Sequence, residues 1–161
     1  MPSAGANPES VTAEASPAGR TYAPVLYAVG REKIREFALA TGETNPLHLD
    51  LDAARAAGHA DLVAPPMFAV VYQGRCMDDP LDDPDLAIDY PRLLHVGQEF
   101  RWGPLVIAGD EITTTVTVAN VSERAGLRFY DFRAESRNQR GELVADGLWR
   151  NVVREREGGS E

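Results

Sequence analysis

An α+β fold, with a curved antiparallel sheet wrapped around one central apolar helix, is the architecture this sequence predicts on three observations. Met67-Phe68-Ala69-Val70-Val71-Tyr72, entered through Pro65-Pro66, is apolar nearly all round. It has no polar face to offer solvent and belongs inside. Four segments of strand-like composition follow it, at about 93–102, 110–121, 127–137 and 142–153. In the second of them Ile112, Thr114, Val116 and Val118 alternate with Thr113, Thr115 and Thr117, the period of a strand covered on one face. Strands need their apolar faces covered and the helix needs a wrapper, so the two requirements meet in one structure.

Taken in order, the first twenty residues are rich in Ala, Ser, Pro and Gly and lack both a basic start and an apolar run. Neither a signal peptide nor a membrane anchor is written there, and residues 1–20 are expected to form a flexible tail. Residues 155–161 are expected to form another, which leaves a single folded domain over 21–154. From Arg31 to Ala40, Ile34, Phe37 and Ala38 recur at helical spacing against Glu32, Lys33, Arg35 and Glu36, and Gly42 is placed to end that helix. Asp50 or Asp52 can cap a short helix through Ala53-Ala54-Arg55-Ala56-Ala57, with Gly58 as its stop. Pro66 suits the first turn of the apolar helix, where its missing N–H is not needed. Asp78 to Tyr90 is an acidic, proline-containing loop, and Asn138-Gln139-Arg140-Gly141 marks a hairpin between the last two strands. A sheet curved around a helix in this manner is the hot-dog fold.

With 161 residues, 43% of them hydrophobic, the chain is long enough for one domain with a real core. A formal charge of -9 and a pI near 4.8 exclude binding of DNA or RNA through the overall field. One cysteine, Cys76, permits no intramolecular disulfide, and the cytoplasm is the expected compartment. No membrane partner is expected.

The chemistry concentrates between the first two helices. Glu43 and His48 stand five residues apart in Gly42-Glu43-Thr44-Asn45-Pro46-Leu47-His48, and Pro46 pushes Asn45 toward extended backbone. The carboxylate and imidazole are therefore presented from a turn, which can aim both into one cleft. An acid and a base on one side of a substrate, one of them an imidazole titrating near neutrality, is what proton transfer to and from carbon and oxygen requires.

Phe37 to His48, then Ala53-Ala54-Arg55-Ala56-Ala57-Gly58, Leu62-Val63-Ala64-Pro65-Pro66-Met67-Phe68 and Leu93-Leu94-His95-Val96-Gly97-Gln98-Glu99-Phe100, resemble the MaoC-like hydratase/dehydratase family. The likeness is closest to the branch holding N-terminal-type MaoC domains and actinobacterial (3R)-hydroxyacyl-ACP dehydratase subunits. It covers most of the domain. What it implies is reversible removal or addition of water across the Cα–Cβ bond of an acyl thioester, carried by CoA or acyl carrier protein, without cofactor. The family aspartate is Glu43 here, one methylene longer, and the family histidine is His48. Asn45 would orient the loop or the pair. A family glycine whose N–H helps to hold the thioester oxyanion aligns with Pro66, which has no N–H, so Met67 supplies the next free amide. The resemblance also places Phe68 along the acyl path.

Competing readings are an accessory subunit that shapes the acyl tunnel while a partner carries the catalytic residues, and a hot-dog thioesterase or acyl-binding module. Taken singly, Glu43 is a solvated turn carboxylate and His48 a loop histidine. His95 either lines the site or packs near the start of its strand, His59 is expected to be exposed, and Trp102 and Trp149 are expected to pack. Arg31, Lys33 and Arg35 are candidate contacts at the tunnel mouth. Histidines eleven and thirty-six residues apart, with one cysteine, argue against a metal, and the aspartates between Asp78 and Asp89 suit a solvated loop better than a calcium site. A sheet wrapped on one helix leaves an open edge, which predicts a homodimer or a heterodimer with a second MaoC-like chain.

Overall fold

A computed structural model describes residues 17–154. Of the two expected tails, residues 1–16 and 155–161 lie outside the described residues. The elements are β1 (Val25–Ala28), α1 (Arg31–Thr41), α2 (Leu51–Ala56), α3 (Ala69–Gly74), α4 (Asp78–Asp82), β2 (Leu93–Trp102), β3 (Glu111–Arg124), β4 (Leu127–Arg137) and β5 (Leu143–Arg154), with short 3-10 turns at Pro46–His48, Pro66–Phe68 and Tyr90–Arg92. The five strands form one antiparallel sheet in the order β1-β3-β4-β5-β2. This is the hot-dog arrangement, with the four main strands within a few residues of their expected bounds.

Side-chain alternation decides which face of the sheet is covered. On β3, Ile112, Thr114, Val116 and Val118 are buried, and the intervening residues from Glu111 to Thr117 are exposed or half-buried. The β3–β4 hairpin turns through Ala125 and Gly126, both at positive φ (54° and 70°), the handedness that matches strand twist. The β4–β5 connection is stitched by Asn138, whose Oδ1 accepts from the N–H groups of Arg140 (3.0 Å) and Glu142 (3.1 Å).

Against the covered face lie two apolar clusters. In the first, Phe68 is fully buried among the rings of Phe37 (5.5 Å, near-perpendicular), Tyr27 and Tyr72, beside Ile34, Leu62 and Ile112. In the second, Tyr130, Phe132, Val116 and Val118 of the sheet meet Cys76, Met77 and Leu86. Cys76 sits here with its thiol donated to the Tyr72 carbonyl (3.3 Å), and burial pushes its pKa up. The expected single apolar helix is two pieces, a 3-10 turn at Pro66–Phe68 and then α3. The break turns Met67 toward solvent (47% exposed) while Phe68 points inward.

The helix is fixed to the sheet by a polar side chain. Gln73 is wholly buried, and its amide nitrogen donates to Ala134 O (3.0 Å) and Ser136 Oγ (3.1 Å) while its carbonyl accepts from the Trp149 indole (3.0 Å). Ser136 in turn bonds Thr114 (2.8 Å), so one network joins α3 to β3, β4 and β5. Gly147 makes room for it, since a Cβ there would lie 2.2 Å from Gln73 Oε1 and 3.1 Å from Phe100.

Sequence periodicity missed two elements. β1 has four residues, too few to show a period, and α4 lies within the stretch read as an acidic loop. Ahead of β1 the chain already runs along β3, with Gly19 N–H on Val118 O, Tyr22 N–H on Val116 O, and Arg20 and Tyr22 bonded to Asp83 (2.5 and 2.7 Å). Trp102, expected to pack, is 52% exposed, with its indole N–H on Pro66 O (3.0 Å).

Gly147→Ala is expected to destabilise the fold by roughly 1–3 kcal/mol through overpacking. Gln73→Leu, which strands the Trp149 donor and removes the amide bonds to Ala134 O and Ser136 Oγ, is expected to cost roughly 2–4 kcal/mol. Urea unfolding curves with unchanged m-values check both.

Candidate active site

The loop that carries Glu43 begins in a helix cap. Gly42 takes the left-handed conformation (φ 74°, ψ 22°), its N–H bonds Leu39 O (3.3 Å), and the Glu43 N–H bonds Ala38 O (2.8 Å). These are the two bonds of a Schellman motif, so the backbone of Glu43 is set by the end of α1. Its side chain is half-buried.

Asn45 starts the next turn. Its Oδ1 accepts the Leu47 N–H (3.1 Å) and its main-chain carbonyl accepts that of His48 (3.1 Å), while Pro46 occupies the first position of the 3-10 turn. The Asn45 amide thus braces the loop backbone; it makes no hydrogen bond to Glu43 or His48. Asp50 then caps α2 through Oδ1 to the N–H groups of Asp52 (2.8 Å) and Ala53 (3.3 Å).

His48 is buried at 6% exposure, and its Nδ1 lies 2.7 Å from Val63 O. A carbonyl can only accept, so Nδ1 carries a proton, and in the neutral ring the lone pair is then on Nε2. Val63 is itself held, its N–H bonding Leu47 O (3.0 Å) and the following Ala64 N–H bonding Val106 O (2.8 Å). Two residues earlier, Asp61 receives the Arg31 guanidinium as a fork, Nε to Oδ1 at 2.8 Å and Nη2 to Oδ2 at 2.6 Å, and its Oδ1 also accepts the Leu62 N–H (2.7 Å). That pairing drops the Asp61 pKa to about 2.

Glu43 and His48 therefore come from one loop bracketed by α1 and α2, and no hydrogen bond or ion pair joins them. Pro66, Met67 and Phe68 follow Val63 directly. The Met67 N–H is in the open first turn and bonds no group among the described residues, whereas Phe68 N–H is taken by Pro65 O (2.8 Å). Pro66 and Phe68 also line a largely apolar crevice of about 60 Å³ with Ala64, Tyr72, Trp102, Leu105 and Val144. His95 lies elsewhere, exposed on β2, its ring edge-on to Trp149 (5.4 Å) and its Nδ1 3.4 Å from Asn151 Oδ1. His59 is half-buried.

Arg31, Lys33 and Arg35 are not loose cations. Arg31 is held by Asp61, Lys33 by Glu36 (3.2 Å), and Arg35 by Glu32 and by Leu49 O (3.3 Å). Among the described residues no group of three or more His, Cys, Asp or Glu side chains is placed to hold a metal ion, and no helix is long and apolar enough to cross a membrane. The residues that the sequence reading missed are Asp61 and Val63. Thirty positions separate Asp61 from Arg31, and the group that Val63 contributes is a carbonyl every residue owns.

Sheet, helix and loop together define a hot-dog protein of the MaoC-like hydratase/dehydratase class. Residues 16–147 match the family described as the FAS1-like dehydratase domain region, and the chain belongs to that family. It belongs equally with the UPF0336 proteins. It is 45% identical to the one from Streptomyces griseus over 137 residues, covering 84% of this chain and 91% of that one. To the one from Saccharopolyspora erythraea it is 46% identical over 127 residues, 78% and 81% of the two chains. Among solved structures, a C-terminally truncated HadBC (3R-hydroxyacyl-ACP dehydratase) complex from Mycobacterium tuberculosis superposes with TM-score 0.75 at 28% identity, over 86% of this chain and 98% of that chain. The ChsH1-ChsH2 complex from the same organism gives 0.68 at 26%, over 86% and 91%. These likenesses make the protein a dehydratase-type member of the fold, a hydro-lyase in broad class.

Because Asp61 ionises well below its ordinary 3.8, its contribution to stability is complete above about pH 4 and is lost as pH falls toward 2. Asp61→Asn is therefore expected to flatten the stability profile between pH 4 and 2, as read by thermal melts at stepped pH.

Proposed function

We propose that this chain catalyses reversible dehydration of a (3R)-hydroxyacyl thioester to the trans-2-enoyl thioester, with Glu43 and His48 as the acid–base pair. The observation that carries the reading is the buried His48, its Nδ1 proton committed to Val63 and its Nε2 lone pair left for chemistry. In the dehydration direction Nε2 takes the α-proton, the electron pair forms the Cα–Cβ double bond, and the protonated Glu43 carboxyl gives its proton to the β-hydroxyl, which leaves as water. In the hydration direction the Glu43 carboxylate deprotonates the attacking water and the imidazolium returns a proton to Cα. Negative charge gathers on the thioester oxygen as the α-proton departs, and the Met67 N–H is the donor that meets it, in the place of the amide that Pro66 lacks. One such donor is worth roughly 3 kcal/mol in the transition state. Asn45 acts by holding the loop that carries the pair, and Pro66 and Phe68 border the acyl path. The carrier is CoA or acyl carrier protein, in the cytoplasm, and no cofactor takes part.

A second reading is favoured by Pro66 itself. Without that N–H this chain also suits the tunnel-forming half of a heterodimer whose partner carries the chemistry, and the HadBC and ChsH1-ChsH2 structures are complexes of two named components. In either case the chain pairs with a copy of itself or with a second MaoC-like chain. Strand β2 ends the sheet with Leu94 and Val96 exposed at 64% and 55%, and a partner laid there would cover them together with His95.

The test is hydration of short and longer trans-2-enoyl-CoA esters by the purified chain. Turnover is expected to fall at least about 100-fold in His48→Ala and in Glu43→Gln, the range for losing a general acid or base. Wild-type chain that turns over none of the esters alone, but supports turnover with a second MaoC-like subunit, assigns the accessory role.

A further inference from the structure

The ion pair between Arg31 and Asp61 stands outside the acid–base pair, yet it ties together the two pieces of chain that deliver it. Arg31 is the first residue of α1, and the other end of that helix sets the Glu43 backbone through the Schellman bonds. Asp61 lies two residues before Val63, whose carbonyl holds the His48 imidazole. The loop between them runs back along the helix, because Arg35, one turn beyond Arg31, donates to the carbonyl of Leu49, the residue after His48. A closed circuit results, from Asp61 to Arg31, along α1 to Glu43, through the loop to His48, and from His48 by way of Val63 back to Asp61. The backbone bonds of residues 62–64 reach Leu47, Val106 and Ala108, so they fix this segment to the loop and to the residues just ahead of β3. The Arg31 fork is the bond that fixes it to α1.

From this circuit we infer that Asp61, paired with Arg31, is a positioning residue for Glu43 and His48. It holds α1 against the 61–63 segment, so that the Val63 carbonyl meets Nδ1 and the carboxylate faces the same substrate as Nε2. A bidentate fork suits this task, since two parallel N–H···O bonds fix orientation as well as distance. The third bond, from Leu62 N–H to the same carboxylate, passes that orientation into the backbone leading to Val63. Both charges persist throughout the range in which an imidazole titrates, as Asp61 ionises near pH 2. The inference rests on the acid–base reading of Glu43 and His48, and the first arm of its test does not depend on activity.

That arm is a long-range proton–nitrogen NMR correlation of the imidazoles in the full-length chain, recorded above their titration; there are only three histidines to assign. Wild type is expected to show His48 with its proton on Nδ1. Asp61→Ala is expected to show averaged Nδ1 and Nε2 signals, with His59 and His95 unmoved. Arg31→Gln approaches the pair from the other side, must give the same change, and decides the matter if Asp61→Ala does not fold. A wild-type His48 pattern in every variant that folds overturns the inference.

The second arm is kinetic. Asp61→Ala is expected to lower kcat about 10- to 100-fold, the scale of a displaced catalytic group, with KM within about twofold. Placed on Glu43→Gln it is expected to add almost nothing, because a residue acting through the pair has no further effect once the pair is broken. Asp61→Glu, which keeps a carboxylate within reach of the guanidinium, is expected to recover most of the loss. Full additivity in the double variant assigns Asp61 a merely structural role and overturns the inference. Undiminished turnover in Glu43→Gln and His48→Ala would sink the acid–base reading instead, and the imidazole spectrum would still decide whether Asp61 positions His48.

Discussion

Everything in this molecule hangs from the burial of one amide. A single helix inside a curved sheet can slide along it or roll about its own axis, since apolar contacts are non-directional. Gln73 removes both freedoms, because its amide reaches β4 and β5 directly and β3 through Ser136, with near-ideal distances. In a low-dielectric interior such bonds are stronger than in water, and leaving any of them unmade is expensive. The cost of admitting a polar side chain is met by Gly147, which gives up a Cβ to let the amide in. Once α3 is fixed, so is Pro66–Phe68 ahead of it, and with it the free amide at Met67.

The candidate site is built chiefly from backbone. Glu43 is placed by a helix cap, His48 by a 3-10 turn and a carbonyl, and Met67 offers an N–H. Side chains enter as braces, Asn45 within the loop and Asp61 with Arg31 across it. This division has a physical logic. Caps and turns fix φ and ψ locally, whereas an ion pair fixes the distance between two pieces of chain that are remote in sequence. On the proposed acid–base reading, a loop that presents two proton-transfer groups to one substrate needs both kinds of restraint.

How much of this could be read from the sequence follows the same line. Gly42, Asn45-Pro46 and Asp50 are local signals, and the α1 end, the turn and the α2 cap all stand where those residues place them. The β3 alternation is visible because one face of that strand is buried and the other is not. β1 is silent because four half-covered residues carry no period, and α4 because Asp-Asp-Pro-Leu-Asp has the composition of a loop. Trp102 is large and apolar, yet it sits at the surface and spends its indole N–H on Pro66 O. Gln73 left a trace, a polar residue following an apolar run, but its partners are more than sixty positions away. The Val63 carbonyl left none.

Cys76, the only thiol in the chain, lies just past the end of α3, buried within the second apolar cluster. Its pKa is raised and its hydrogen is engaged, so a maleimide or disulfide reagent in bulk solution meets almost no reactive thiolate while helix and sheet stay together. The protein thus carries a built-in stopwatch. The rate at which such a reagent labels it under native conditions counts the moments when the helix lifts from the sheet, without any probe having to be engineered in.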